Sequence, residues 1–125
     1  MTRLTQIAQH ADDLDRAAAF YAVLLGTDAV ARFDPPGLLF FDIAGTRLLI
    51  DRAAPSALLY FPSSDLHEDL RRLVAAGASV ESEPSPVFTH ADDTLGPAGT
   101  EEWQAFVRDP EGNLVGLVEQ RRVTA

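Results

Sequence analysis

The chain has 125 residues, with 10 basic against 19 acidic side chains and a formal charge of −9. That length suits one compact domain, or two small motifs sharing a core. A hydrophobic content of 46% with 23% charged residues excludes wholesale disorder. The absence of cysteine removes disulfides, thiolate nucleophiles and metal–thiolate sites. The acidic balance argues against nucleic acid and anionic membrane surfaces as partners.

No apolar run approaches bilayer-spanning length, and Met1-Thr2-Arg3 leads into no signal-type stretch, so the cytoplasm is the expected location. Residues 3–10 predict a strand with imperfect alternation. Asp12 offers a helix N-cap, with Asp13 and Asp15 in the first turn, where negative charge suits the helix dipole. Leu14, Ala17, Ala18, Tyr21, Leu24 and Leu25 recur at helical spacing, and Gly26 sits where a left-handed C-cap is usual. Strands are expected over about 27–33, 37–43 and 46–52, turned by Asp34-Pro35-Pro36-Gly37 and by Ala44-Gly45.

The pattern then restarts. Residues 56–62 predict a strand, and Ser64-Asp65 can cap a helix whose apolar stripe is Leu66, Leu70, Leu73 and Val74, closed by Gly77. A strand near 79–83 is followed by a long Pro-, Gly- and Asp-rich loop over 84–101, then strands near 102–108 and 113–119 joined by Asp109-Pro110-Glu111-Gly112. Proline second and glycine fourth are what a tight hairpin turn needs, so that acidic segment is structural. Asp13-Leu14 matches Asp65-Leu66 at a shift of 52, Gly26 matches Gly77 at 51, and Asp42-Ile43-Ala44-Gly45 matches Asp109-Pro110-Glu111-Gly112 at 67. This is an internal repeat. The expected architecture is α+β: tandem βαβββ units, about 3–53 and 56–120 of a single domain, forming a curved mixed sheet around a cleft with the helices outside.

Asp13-Leu14, Ala19-Phe20-Tyr21 and Leu24-Leu25-Gly26, together with Phe106-Val107-Arg108-Asp109-Pro110-Glu111-Gly112-Asn113-Leu114, resemble the signatures of the vicinal oxygen chelate superfamily. That superfamily includes glyoxalase I, bleomycin-resistance proteins and extradiol dioxygenases, and the resemblance covers roughly residues 4–120. It implies the glyoxalase/bleomycin-resistance/dioxygenase fold and, by family habit, a homodimer. Function does not follow from it, because the superfamily holds metalloenzymes and metal-free binders alike.

Where the family holds a divalent metal, the resemblance carries the ligand positions onto Gln6, Leu49, Leu58 and Gly116. Leucine and glycine side chains supply no donor, and one neutral amide cannot hold a metal, so the expectation is that no metal is bound there. A divalent ion then requires a rebuilt site recruiting Gln6 with His10, His90 or Glu102. His10 shares a strand face with Gln6, while His67 falls on a solvated helix face among Asp65, Glu68 and Asp69. His90 lies in the long loop with Asp92 and Asp93 behind it, and with Glu102 it is the candidate catalytic pair, either acid/base or metal-ligating. The alternative for His90 is a polar surface loop without chemistry.

Opposite strand parity places one of Phe40 and Phe41, and one of Tyr60 and Phe61, towards the binding face; Trp103 and Phe106 also differ in parity, and Trp103, just after the long loop, is placed to line or close the site. Gln6, His10, Phe40, Tyr60, Trp103 and Phe106 are therefore the candidate ligand-binding residues, in an apolar, aromatic-lined site for a small molecule. The acidic surface favours cationic compounds. Three readings stand: a metal-free binding protein of the bleomycin-resistance type; a lyase, isomerase or dioxygenase on a small oxygenated substrate; and a partner-binding module without a small ligand.

Overall fold

The first helix begins where a side chain can bind a free amide. Asp13 is extended (φ −112°, ψ 99°) and its carboxylate accepts the Arg16 amide, so α1 (Leu14–Leu25) is capped by Asp13 rather than Asp12. The amides of Asp12 and Asp13 donate instead to Glu111, whose other oxygen takes the Arg16 side chain. Gly26 closes the helix at φ 71°, a left-handed conformation that costs a residue without Cβ nothing.

The computed structural model describes residues 4–123; the expected strand start at Arg3 lies outside them. Before α1 runs β1 (Gln6–His10), and after it β2 (Ala31–Phe33), β3 (Leu38–Ile43) and β4 (Thr46–Asp51). The order then repeats: β5 (Leu59–Pro62), α2 (Leu66–Ala75), β6 (Ser79–Thr89), β7 (Thr100–Arg108) and β8 (Leu114–Arg122). Both sheets have the same topology, β1-β4-β3-β2 and β5-β8-β7-β6, with the first pair parallel and the others antiparallel. This is the expected α+β arrangement of two βαβββ units. The chain divides into Met1–Ala57 with Asp109–Asn113, and Leu58–Arg108 with Leu114–Ala125, so the turn 109–113 packs with the first unit.

In the first unit, Leu14, Ala17, Phe20 and Tyr21 of α1 are buried, as are Leu39, Phe41, Leu48 and Ile50 of the sheet. Phe20, absent from the predicted face, belongs to it, whereas Leu24 and Leu25 are only half-buried. Phe41 packs on Tyr21 (6.3 Å between ring centroids), so Phe40 points to the other side of the sheet. At the predicted turn, Ala44 (φ 48°) and Gly45 (φ 94°) are both left-handed, which a two-residue hairpin turn requires.

In the second unit Leu66, Leu70 and Leu73 cover Ala105, Val107, Val115 and Leu117. Each fully buried leucine stabilises by roughly 1.5–3 kcal/mol. Val74, predicted for the stripe, is exposed, because the sheet takes up only the line of 66, 70 and 73.

The main departure is β6. Pro84 and Pro86 predict a loop from residue 84, yet the strand continues to Thr89 and β7 begins at Thr100, leaving 90–99 as the loop. Because β6 is the edge of its sheet, its prolines remove no necessary ladder bond, and three register shifts absorb the irregularity. Among the described residues no helix is long and apolar enough to cross a membrane.

Candidate functional site

The buried side of β7 faces α2 through Ala105 and Val107, so alternation sends Thr100, Glu102, Gln104 and Phe106 to the open face of that sheet. On β8 the open-face residues are Gly116, Val118 and Gln120. Gly116 is paired with Tyr60, and a Cβ added to it lies 2.6 Å from Tyr60 Cδ2 and 3.1 Å from Phe106 Cε1. The two rings meet edge to face at 5.7 Å. Trp103 is on the opposite, helix-side face: Arg121 stacks 3.9 Å over its ring and its indole N–H donates to Glu101. Tyr60 and Phe106 are thus brought together, and Trp103 is parted from them.

The hairpin register sets Phe88 opposite Glu102 and carries the next turn of chain, with His90, back over it. His90 Nε2 lies 3.0 Å from Glu102 Oε1, and both residues are buried. Gln120 donates to the same oxygen (2.8 Å) and Gln104 to the other (2.7 Å). The Thr100 hydroxyl donates to the Pro97 carbonyl (2.6 Å) and lies 3.1 Å from Gln120 Oε1, placing the network beside the loop. Burial pushes the Glu102 carboxyl up, but the hydrogen bonds from Gln120, Gln104 and His90 outweigh it, and the net direction is down. The carboxylate is therefore ionised at neutral pH.

An ionised partner on Nε2 keeps that nitrogen protonated and leaves Nδ1 as the acceptor. Nδ1 has no hydrogen-bond partner among the described residues. No fully buried side-chain nitrogen or oxygen there lacks one, so Nδ1 keeps access to solvent. His90 lines a recess of about 320 Å³ with Phe88, Ala91, Asp92, Thr94 and Leu95. The Phe88 ring is 4.7 Å from the imidazole, and Gly96 has no room for a Cβ, which falls 2.7 Å from Nε2. Backbone and hydroxyl hydrogen bonds from Thr94 hold the Asp92 carboxyl below its usual range.

In the first unit, Gln6 and His10 share the open face at opposite ends of β1, about 13 Å apart along the strand. His10 faces Asp12 (3.2 Å). Phe40 meets Phe33 edge to face at 6.1 Å beside Val30, Ala31 and Arg47. Leu49 is half-buried, Leu58 is exposed just ahead of β5, and His67 is exposed on α2. The positions carried over from the family therefore do not fit a metal: one amide, two leucines, and a glycine under two rings. Among the described residues no three His, Asp or Glu side chains converge to replace them.

A second buried network was invisible in the sequence. Gln9 donates to the Tyr21 hydroxyl, which donates to Asp109 Oδ2 (2.6 Å). Asp109 also accepts the amides of Glu111 and Asn113 and the Asn113 side chain. Burial first, and then the Asp109 charge, push the Tyr21 hydroxyl strongly up. The one signal was Gln9, a polar residue at a strand position that faces the helix.

Residues 6–118 match the model of the glyoxalase-like domain family. Among solved structures, a glyoxalase/bleomycin resistance protein from Albidiferax ferrireducens T118 is 21% identical with TM-score 0.67, covering 94% of this chain and 99% of that one. A glyoxalase-related enzyme from Fulvimarina pelagi is 20% identical with TM-score 0.71, covering 95% and 88%. A lactoylglutathione lyase from Agrobacterium tumefaciens is 25% identical with TM-score 0.62, covering 95% and 94%. No curated protein matches the chain.

Proposed function

The chain belongs to the glyoxalase-like domain family, and on that premise we propose that it is a metal-free binder of small molecules. The observation that carries this reading is the pair of rings over Gly116. A ligating Glu or His at that position has to displace Tyr60, and Leu49 and Leu58 offer a metal nothing in its place. Removing the metal site turns the same surface apolar and aromatic, the usual lining of a small-molecule site with few polar groups. Tyr60 and Phe106 supply such a patch in the second unit and Phe40 one in the first. The binding unit is a homodimer on this reading, which light scattering tests.

The decisive measurement is elemental analysis of tag-free protein after anaerobic incubation with Fe(II), Mn, Ni and Zn and gel filtration. The expected result is no metal above background. Retention of about one ion per chain overturns the reading, because a bound ion needs several converging donors.

The buried His90–Glu102 pair favours a second reading, an enzyme moving a proton at His90 Nδ1 while Glu102 orients the ring. This requires the tautomer with the proton on Nε2. Imidazole ¹⁵N shifts of His90 report it directly, and a proton on Nδ1 removes the base from the recess. In Glu102→Ala the tautomer preference is expected to be lost.

A further inference from the structure

In a chain with nearly two carboxylates for each basic residue, arginines find acidic partners. Arg16 holds Glu111, Arg32 holds Asp15 and Asp34, Arg71 holds Glu68, and Arg121 holds Glu119. Arg47 does not. Among the described residues its guanidinium makes no ion pair and no hydrogen bond. Its cross-strand neighbour Asp42 is turned to the hairpin, where Oδ1 accepts the Gly45 amide at 3.1 Å.

The position of Arg47 gives this weight. On β4, Leu48 and Ile50 face the core, so Arg47 stands on the open face. There it closes one side of a recess of about 270 Å³, whose other walls are Val30, Ala31, Phe33 and Phe40. Phe33 and Val30 are more than half exposed, which is costly for large apolar side chains without a partner. An apolar aromatic wall ending in one unpaired guanidinium is a two-part receptor. The volume lies just below the roughly 300–1,000 Å³ typical of ligand sites, which suits a small ligand.

We infer that this recess binds an apolar carboxylate, its ring or chain against Phe33 and Phe40 and its carboxylate on the Arg47 fork. The planar guanidinium matches a carboxylate in a bidentate pair. The same fork also pairs with phosphate, but a dianionic phosphate meets about twice the repulsion from neighbouring Asp42 that a monoanionic carboxylate does. The net charge of −9 draws cations from a distance, but contact chemistry inside the recess is set by Arg47. The inference rests on the binding reading above and names the chemistry of one subsite.

The test is a ¹H–¹⁵N titration of the full chain with benzoate, benzamide, benzylamine and phenyl phosphate. Benzoate is expected to shift the amides of Ala31, Phe40 and Arg47, with Kd at least tenfold below those of benzamide and benzylamine. Arg47→Gln, an exposed substitution, is expected to raise the benzoate Kd tenfold or more and leave the spectrum of the core unchanged. Benzamide binding as well as benzoate, tightest binding of benzylamine or phenyl phosphate, or a benzoate Kd indifferent to Arg47→Gln each overturns the subsite while the binding reading stands. If none of the four probes binds, the subsite fails, and the binding reading is judged on the metal analysis above.

Discussion

Replacing Asp109 with alanine is expected to lower stability by about 3–4 kcal/mol, and the melting temperature by roughly 10–20 °C, with no change in denaturant m-value. One carboxylate accepts four hydrogen bonds here, from Tyr21, Glu111 and twice from Asn113. Removing it leaves buried donors facing an empty position, and each unsatisfied group costs about 1–3 kcal/mol. Tyr21→Phe removes two bonds, the one to Asp109 and the one from Gln9, and is expected to cost about 1–3 kcal/mol, since Asp109 Oδ2 keeps the Asn113 amide.

The same pair predicts an alkaline limit. The Tyr21 hydroxyl is pushed up in the folded state by burial and the Asp109 charge, so it holds its proton where the unfolded chain loses it. Its stabilisation is complete below about pH 10 and falls by about 1.4 kcal/mol per pH unit above that value. Urea denaturation between pH 9 and 11 should show this slope in the wild type and lack it in Tyr21→Phe. An unchanged slope in the variant rejects the assignment.

The second large effect is at Glu102. Glu102→Ala is expected to cost about 2–3 kcal/mol at neutral pH, because His90, Gln104 and Gln120 lose their common acceptor inside the sheet. The sign with pH follows from the lowered folded-state value. The carboxylate's stabilisation is present above the unfolded value near 4.5 and is lost as pH falls through the folded one. The gap between wild type and Glu102→Ala should therefore narrow on acidification below about pH 4.5. Glu102→Gln, which keeps the shape, is expected to cost less and to lack that pH dependence. A constant gap from pH 7 to pH 3 contradicts an ionised Glu102 at the centre of the network.

Much of the fold was legible because short-range rules govern it. The helix at 14–25, its glycine cap and the Ala44-Gly45 turn all depend on residues within one turn or one hairpin of each other, and the repeat showed as the same local pattern met twice. The N-cap is Asp13 rather than Asp12 because the Asp13 carboxylate accepts the Arg16 amide, while Glu111, almost a hundred residues away, takes the amides of both aspartates. The second half of β6, from residue 84 on, was missed because of its two prolines, which are breakers within a sheet and harmless at its edge.

At the candidate site the sequence singled out His90 and Glu102, among several acids of one loop, on loop length and residue type. Which acid meets the imidazole was settled by hairpin register: Glu102 stands across from Phe88 on the open face, while Glu101 turns to the Trp103 side. Gln104 and Gln120 joined the network by the same alternation, which is readable only once the starts of β7 and β8 are known. Trp103 was misplaced for that reason too.

The sequence by itself determined the two βαβββ units, the turn chemistry and the lack of metal donors at Leu49, Leu58 and Gly116, since these follow from residue identity and local backbone preference. Only the tertiary structure decided that Tyr60 and Phe106 cover Gly116, that Tyr21 reaches Asp109, and that Arg47 stands beside Phe33 and Phe40 without an ion pair among the described residues. These outcomes turn on strand register and on which partners remain within a few ångströms after the sheet has formed, and no local preference encodes that.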